Sequence, residues 1–194
     1  MNKSRQRSAG LYVEIKQPAA HRKRGLDPSK EVLRILKHYG YESTEDRVFV
    51  QCFEADEVLR LRTELNCRLP LIQLHSGDLT TDEIAEISRV ADGIGINLAG
   101  VVRFPNGQPP QVSKLVETAH QHSLLVHVWT FRTDDLPEHA ESPNAVLNLL
   151  VQKAGVDGIF TDQPDSVLSW RQAALKVGAI RGPFHLLNGG GKSP

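Results

Sequence analysis

The stretch LYVEIKQP, Leu11 to Pro18, sets a carboxylate and an ammonium two residues apart in what is otherwise a strand-like run. With period two, Leu11, Val13 and Ile15 share one apolar face, while Tyr12, Glu14 and Lys16 share the other. Removing two charges from water is costly unless each finds a partner. Each of the two therefore needs a partner: an interior basic group for Glu14, Glu14 itself for Lys16, or something bound at the end of this strand. Comparable tips recur along the chain. In RVFVQCF, Gln51 and Phe53 lie opposite Val50 and Cys52; in LPLIQLH, Gln73 and His75 lie opposite Ile72 and Leu74. GIGIN ends at Asn97, LLVHVWTF sets His127 and Trp129 opposite Val126 and Val128, and GIFTD ends at Asp162. Histidine is the usual acid–base side chain, but His127 stands mid-strand with no motif around it and reads as an interior filler. Asp162, in TDQPD, reads as a turn or helix-capping residue. His120, His122, His139 and His185 read as surface residues.

Helical runs separate these strands and must position their tips. SKEVLRILKHYG puts Val32, Leu36 and Tyr39 on one stripe, with Ser29 as N-cap and Gly40 closing the helix. PPQVSKLVETAHQH reads as a helix with Val112, Leu115, Val116 and Ala119 on one face. EADEVLRLRTEL, TTDEIAEISRVA, PNAVLNLLVQKAG and PDSVLSWRQAALKVG supply the others. Such alternation predicts a parallel sheet covered by helices. An open doubly wound sheet buries both strand faces and reads uniformly apolar. Strands that share one polar rim favour a TIM-type (β/α) barrel. Eight strand–helix units take about 250 residues, with roughly 200 as a floor. The 194 residues here fall short, so the barrel is expected to be incomplete, with open sheet edges.

The 23 basic and 23 acidic side chains leave no net charge, which argues against a nucleic-acid footprint. No apolar run reaches the roughly 20 residues of a membrane span. Cys52 and Cys67 lack disulfide-framework or zinc spacing and read as ordinary thiols. MNKSRQRSAG lacks the apolar stretch of a signal peptide and reads as a polar leader; LLNGGGKSP reads as a flexible tail. The expected division is a leader over 1–10, a barrel segment over 11–180 and a tail over 181–194.

Taken in order, VEIKQP, KHYGY, VFVQCFEADEVLRLRTEL, ADGIGIN, LLVHVWTFRTDDLPE and KAGVDGIFTDQPD resemble the glycerophosphodiester phosphodiesterases. The likeness is closest to their periplasmic, calcium-dependent bacterial branch. It implies a barrel of the PLC-like phosphodiesterase kind and hydrolysis of glycerophosphodiesters, such as glycerophosphocholine, to glycerol 3-phosphate and an alcohol. It implies that Glu14 ligates a divalent metal, calcium rather than magnesium, and that Lys16 sits beside the bound phosphate. The chemistry agrees: a carboxylate oxygen suits a hard cation, and an ammonium offsets phosphate charge. Gln51 and Phe53 fall on the implied substrate wall, and Trp129 on the family's W-T strand, where it would pack on the glycerol or alcohol moiety.

The family's acid–base histidines come from an H-R-G motif on its first strand and an H-D motif after its second; further metal ligands come from an E-x-D motif. All precede the E-I-K strand. HRK at His21 follows that strand and lacks the glycine. The expectation is therefore the C-terminal part of the family barrel only, with N-terminal strands missing, no catalytic residue, a weakly held metal and no activity alone. The alternative is a non-catalytic remnant or accessory half-barrel that needs a partner, either a missing N-terminal half or a second copy joined through open sheet edges. A periplasmic or extracellular location is implied by the family and by nothing in the chain itself.

Overall fold

The computed structural model describes residues 10–180; the expected leader and tail, and His185, lie wholly or almost wholly outside the described residues. Four strands come first: β1 (Leu11–Glu14), β2 (Val48–Cys52), β3 (Leu71–His75) and β4 (Gly93–Asn97). A short antiparallel hairpin follows, β5 (Val102–Arg103) with β6 (Gln111–Val112). Then come β7 (Leu125–Phe131) and β8 (Gly158–Thr161). The hairpin apart, the strands form one parallel sheet of spatial order β1-β2-β3-β4-β7-β8.

That sheet is strongly curled. In a flat sheet with strands about 4.8 Å apart, β1 and β8 would stand about 24 Å from each other. Yet the rings of Tyr12 on β1 and Phe160 on β8 meet edge to face with centroids 4.7 Å apart. The two edges thus face each other across an interior filled by side chains, and no ladder joins them among the described residues. This is an open α/β half-barrel. The expectation that strands are missing on the N-terminal side is corrected. β1 begins at Leu11 and the ladder runs unbroken to β8, while the longer stretch outside the described residues, 181–194, follows the last helix. Among the described residues, side chains crossing the interior, rather than further strands, close the curl.

Register decides which residues fill that interior, because laterally paired residues of parallel strands share a face. Glu14 pairs with Gln51, Gln51 with Ile72, Ile72 with Gly93, and Gly93 with Leu125. The inner face of β3 is therefore Ile72 and Leu74. The reading that put Gln73 and His75 at the inner rim is overturned. Gln73 is buried on the other side, where its amide donates to the carbonyls of Cys52, Phe53 and Leu74; His75 turns to Gly77. Two large inner residues on β3 need space beside them, and glycines on β4 provide it. A Cβ on Gly95 would lie 2.5 Å from Leu74 Cδ2, and one on Gly93 2.7 Å from Ile72 Cδ1.

The outer face packs on the helices. Val48, Val50, Cys52 and Leu71 meet α2 (Pro28–His38) and α3 (Ala55–Thr63) through Leu36, Val58 and Leu61. Ile94, Ile96, Val126, Val128 and Ile159 meet α4 (Thr81–Ile87), α6 (Leu115–Gln121), α7 (Pro143–Leu147) and α8 (Pro164–Lys176) through Ile84, Val116, Val146 and Val167. Short helices α1 (Pro18–Arg22) and α5 (Leu98–Val101) follow β1 and β4. α7 continues as a π-helical turn, Asn148–Ala154, which Gly155 ends at φ 78.

Three local expectations are corrected. The N-cap of α2 is Asp27, which accepts from the Lys30 amide, and Pro28 opens the helix. Ser29, one position inside it, is fully buried and donates to Glu57 at 2.5 Å. Glu57 itself is fully buried on α3, where Arg22 of α1 and Arg60 also hold it. A buried carboxylate survives because it is paired and hydrogen-bonded. Tyr39 is largely exposed, and Val112 belongs to β6 rather than to the helix that follows.

Two stability tests follow from this packing. A Cβ on Gly158 would lie 2.7 Å from His127 Cδ2. Gly158→Ala should cost about 1–3 kcal/mol in urea unfolding, and less in a His127→Ala background because the clash is gone. Second, the Asp157 carboxylate lies 2.8 Å from His120 Nε2 and raises the imidazole pKa above its usual 6.5. A raised histidine pKa gives stability that is complete below 6.5 and lost as pH climbs through the folded-state value. The difference in urea midpoint between wild type and His120→Gln should therefore be largest in acid and shrink above neutrality.

Candidate functional site

At the C-terminal end of the strands the inner faces open into a pocket of about 240 Å³. Its wall includes Glu14, Lys16, Gln51, Phe53 and Trp129, the residues singled out from sequence, together with Leu74, Thr130 and Phe160. The last three were missed. Leu74 needed the β3 register, and Phe160 needed knowledge that the two edges meet. Thr130 also borders a neighbouring cleft of about 450 Å³ between the loops after β4 and β7.

The ladder positions the polar groups. Glu14 and Gln51 stand side by side, and the Ile15 amide donates to the Gln51 carbonyl at 2.9 Å to hold that register past the end of β1. Gln17, in the left-handed region at φ 48, then turns the chain into α1, whose Ala19 amide donates to Glu54. Lys16 Nζ reaches back to the Glu14 carboxylate at 3.6 Å; the lysine side chain is 75% exposed and the glutamate 27%. Across the mouth Phe53 meets Trp129 edge to face, with centroids 5.7 Å apart. Two buried polar atoms in this wall, Gln51 Oε1 and Trp129 Nε1, have no hydrogen-bond partner among the described residues.

An aromatic layer floors the mouth. Tyr12 stacks on Phe49 at 5.0 Å and meets Phe160 and His127 edge-on. Its hydroxyl lies 2.7 Å from His127 Nδ1, bridging the first and fifth strands of the sheet. Burial pushes the Tyr12 phenol well above its ordinary pKa of 10.0, so the hydroxyl stays protonated. His127 is 3% exposed, below the mouth rather than in it.

Rim loops are tied by polar contacts. Asp162 lies in the bend between β8 and α8 and faces Arg132 at 3.3 Å, so of the turn and capping roles read from TDQPD it takes the turn and not the cap, which falls to Gln163. Arg132 also holds Asp134, whose carboxyl that guanidinium keeps below the usual range. Gln163 accepts from the Thr133 amide and donates to Asp134. Asn97 caps α5 by accepting from Gly100 and donates to Ser76, so its side chain serves the loops. Cys52 and Cys67 are free, buried thiols, and burial pushes Cys52 up to about 11. Among the described residues no three metal-binding side chains of His, Cys, Asp or Glu type come together.

A family model described as the glycerophosphoryl diester phosphodiesterase family matches residues 1–166. A glycerophosphodiester phosphodiesterase of Haemophilus influenzae is 32% identical over 194 residues, covering 86% of this chain and 53% of that protein. One from Treponema pallidum is 27% identical over 184 residues, covering 80% and 52%. The chain spans about half the length of the curated relatives it matches. The crystal structure of a glycerophosphodiester phosphodiesterase from Parabacteroides distasonis superposes with a TM-score of 0.59 at 17% identity, over 89% of this chain and 61% of that one. That likeness shows the fold alone. The match corrects the expectation of a C-terminal piece. It occupies the N-terminal part of the chain from residue 1, and what lies beyond it is C-terminal. The motifs begin at the E-I-K strand, but the match also takes in the polar residues before it.

Tyr12→Phe should cost about 1–3 kcal/mol in urea unfolding, because it removes the buried hydroxyl that pairs with His127 Nδ1. It should also broaden the imidazole NMR resonances of His127, which a mere loss of packing elsewhere would leave alone.

Proposed function

Because the chain belongs to the glycerophosphoryl diester phosphodiesterase family, we propose that its mouth binds a glycerophosphodiester together with a divalent cation, calcium by preference. The observation that carries this reading is the convergence of Glu14, Lys16, Gln51, Phe53 and Trp129 on one pocket from three separate strand ends. In this reading Lys16 takes the phosphate, Glu14 the cation, and Gln51, Phe53 and Trp129 line the path of the glycerol or alcohol moiety. The donor chemistry fits a hard cation, since the Glu14 carboxylate is an oxygen ligand drawn three-quarters out of solvent. When bound, such a cation polarises phosphoryl oxygens and neutralises their charge. Glu14 would hold the cation and Lys16 the phosphate, in place of the ion pair that they make with each other.

Hydrolysis also needs a group that moves protons. His127 is engaged beneath the mouth with Tyr12, and His75 turns into its own loop. We assign this chain binding rather than proton transfer, and turnover by the chain alone should remain at background. Its working compartment, by family analogy, is periplasmic or extracellular. No helix among the described residues is long and apolar enough to cross a membrane.

Calorimetry with glycerol 3-phosphate and glycerophosphocholine, with and without calcium, tests this. Binding should depend on calcium, Glu14→Gln should remove that dependence, and Lys16→Met should weaken phosphate binding about tenfold, the loss of one charged contact at an exposed site. Calcium-independent binding, or none, would sink the proposal. Calcium-dependent turnover abolished by Glu14→Gln would refute the assignment to binding alone.

A further inference from the structure

Gln51 is 8% exposed, and its side-chain oxygen is buried with no donor among the described residues. An acceptor removed from water without a partner is costly, and folded proteins rarely leave one. Trp129 Nε1, a donor, is orphaned in the wall of the same pocket, yet the two do not pair. Whatever fills the pocket must therefore offer a positive or donating atom to Gln51 and an accepting oxygen to Trp129. A cation that carries a phosphoryl oxygen offers both.

Geometry narrows the choice. Gln51 is the direct lateral neighbour of Glu14 in the β1–β2 ladder, so both side chains leave the same face at the same height. Lys16 pairs with Glu14 and makes no hydrogen bond to Gln51 Oε1. We infer that Gln51 Oε1 is a second protein ligand for the divalent cation at the mouth, beside Glu14. This rests on the reading of the mouth given above and deepens it, because Gln51 then meets substrate through the cation. A bidentate carboxylate and one amide oxygen supply three of the six to eight oxygens that calcium takes. Water and the phosphoryl group supply the remainder, which makes cation and phosphodiester bind cooperatively.

The test titrates the purified chain with calcium alone, without any phosphate ligand, by calorimetry. Gln51→Glu adds a charge to the same oxygen position and should tighten calcium binding about tenfold, while Gln51→Met keeps the shape, removes the oxygen and should weaken it about tenfold. Glu14→Gln should reduce it further. If wild type binds calcium and Glu14→Gln does not, but both Gln51 variants match wild type, the inference is overturned and the reading of the mouth stands. If Gln51→Glu weakens glycerol 3-phosphate binding without touching calcium affinity, Gln51 contacts the substrate directly and the inference is likewise overturned. If wild type binds no calcium, the inference and the cation reading fall together. Gln51→Glu is isosteric, so its result decides the matter even where Gln51→Met fails to fold.

Discussion

Tyr12 holds the two halves of this sheet in a common curve. Its ring lies against Phe160 on the opposite edge and its hydroxyl against His127. Without those contacts the ladder would not bring β8 near β1, since among the described residues no strand pairing joins them. An eight-stranded barrel closes by pairing. Here closure is achieved by side chains crossing an interior, and three of the inner positions are glycine to make room for them: Gly93, Gly95 and Gly158. The price is a set of contacts that tolerate little change in volume.

The mouth inherits its geometry from that floor. Glu14 stands one inner position above Tyr12, and Trp129 one above His127, so the Tyr12–His127 bridge sets the spacing of the walls they belong to. Glu57 plays a comparable part on the outside. Held by Ser29, Arg22 and Arg60, it clamps α1 and α2 to α3. α1 begins two residues after Lys16, so this buried carboxylate limits where the lysine can swing.

Much of this was readable from residues. Alternation of strand and helix pointed to the parallel sheet, and the family resemblance, laid over the period-two strand tips, singled out five residues that line one pocket. What failed did so for identifiable reasons. LPLIQLH is apolar on both faces, as buried parallel strands are, so periodicity could not say whether Ile72 or Gln73 pointed inward; pairing with Gln51 did. Ser29 looked like a cap because its type suits one, but Asp27 before Pro28 was the better candidate. Glu57 carried no sequence cue, because its partners come from two other helices. The position of the segment within its family did not follow from its motifs, because the first of them, VEIKQP, begins at Val13, whereas the family match begins at residue 1.

The ion pair between Lys16 and Glu14 has a kinetic meaning as well as a chemical one. A mouth whose two charges cancel, on a chain whose acids and bases also balance, casts little field into the solvent. Before any cation binds, anionic molecules would not be funnelled toward it from afar, as they are toward clefts lined by charge of a single sign. Encounter would then proceed at the pace of unaided diffusion, nearly indifferent to ionic strength, and discrimination would begin only at contact.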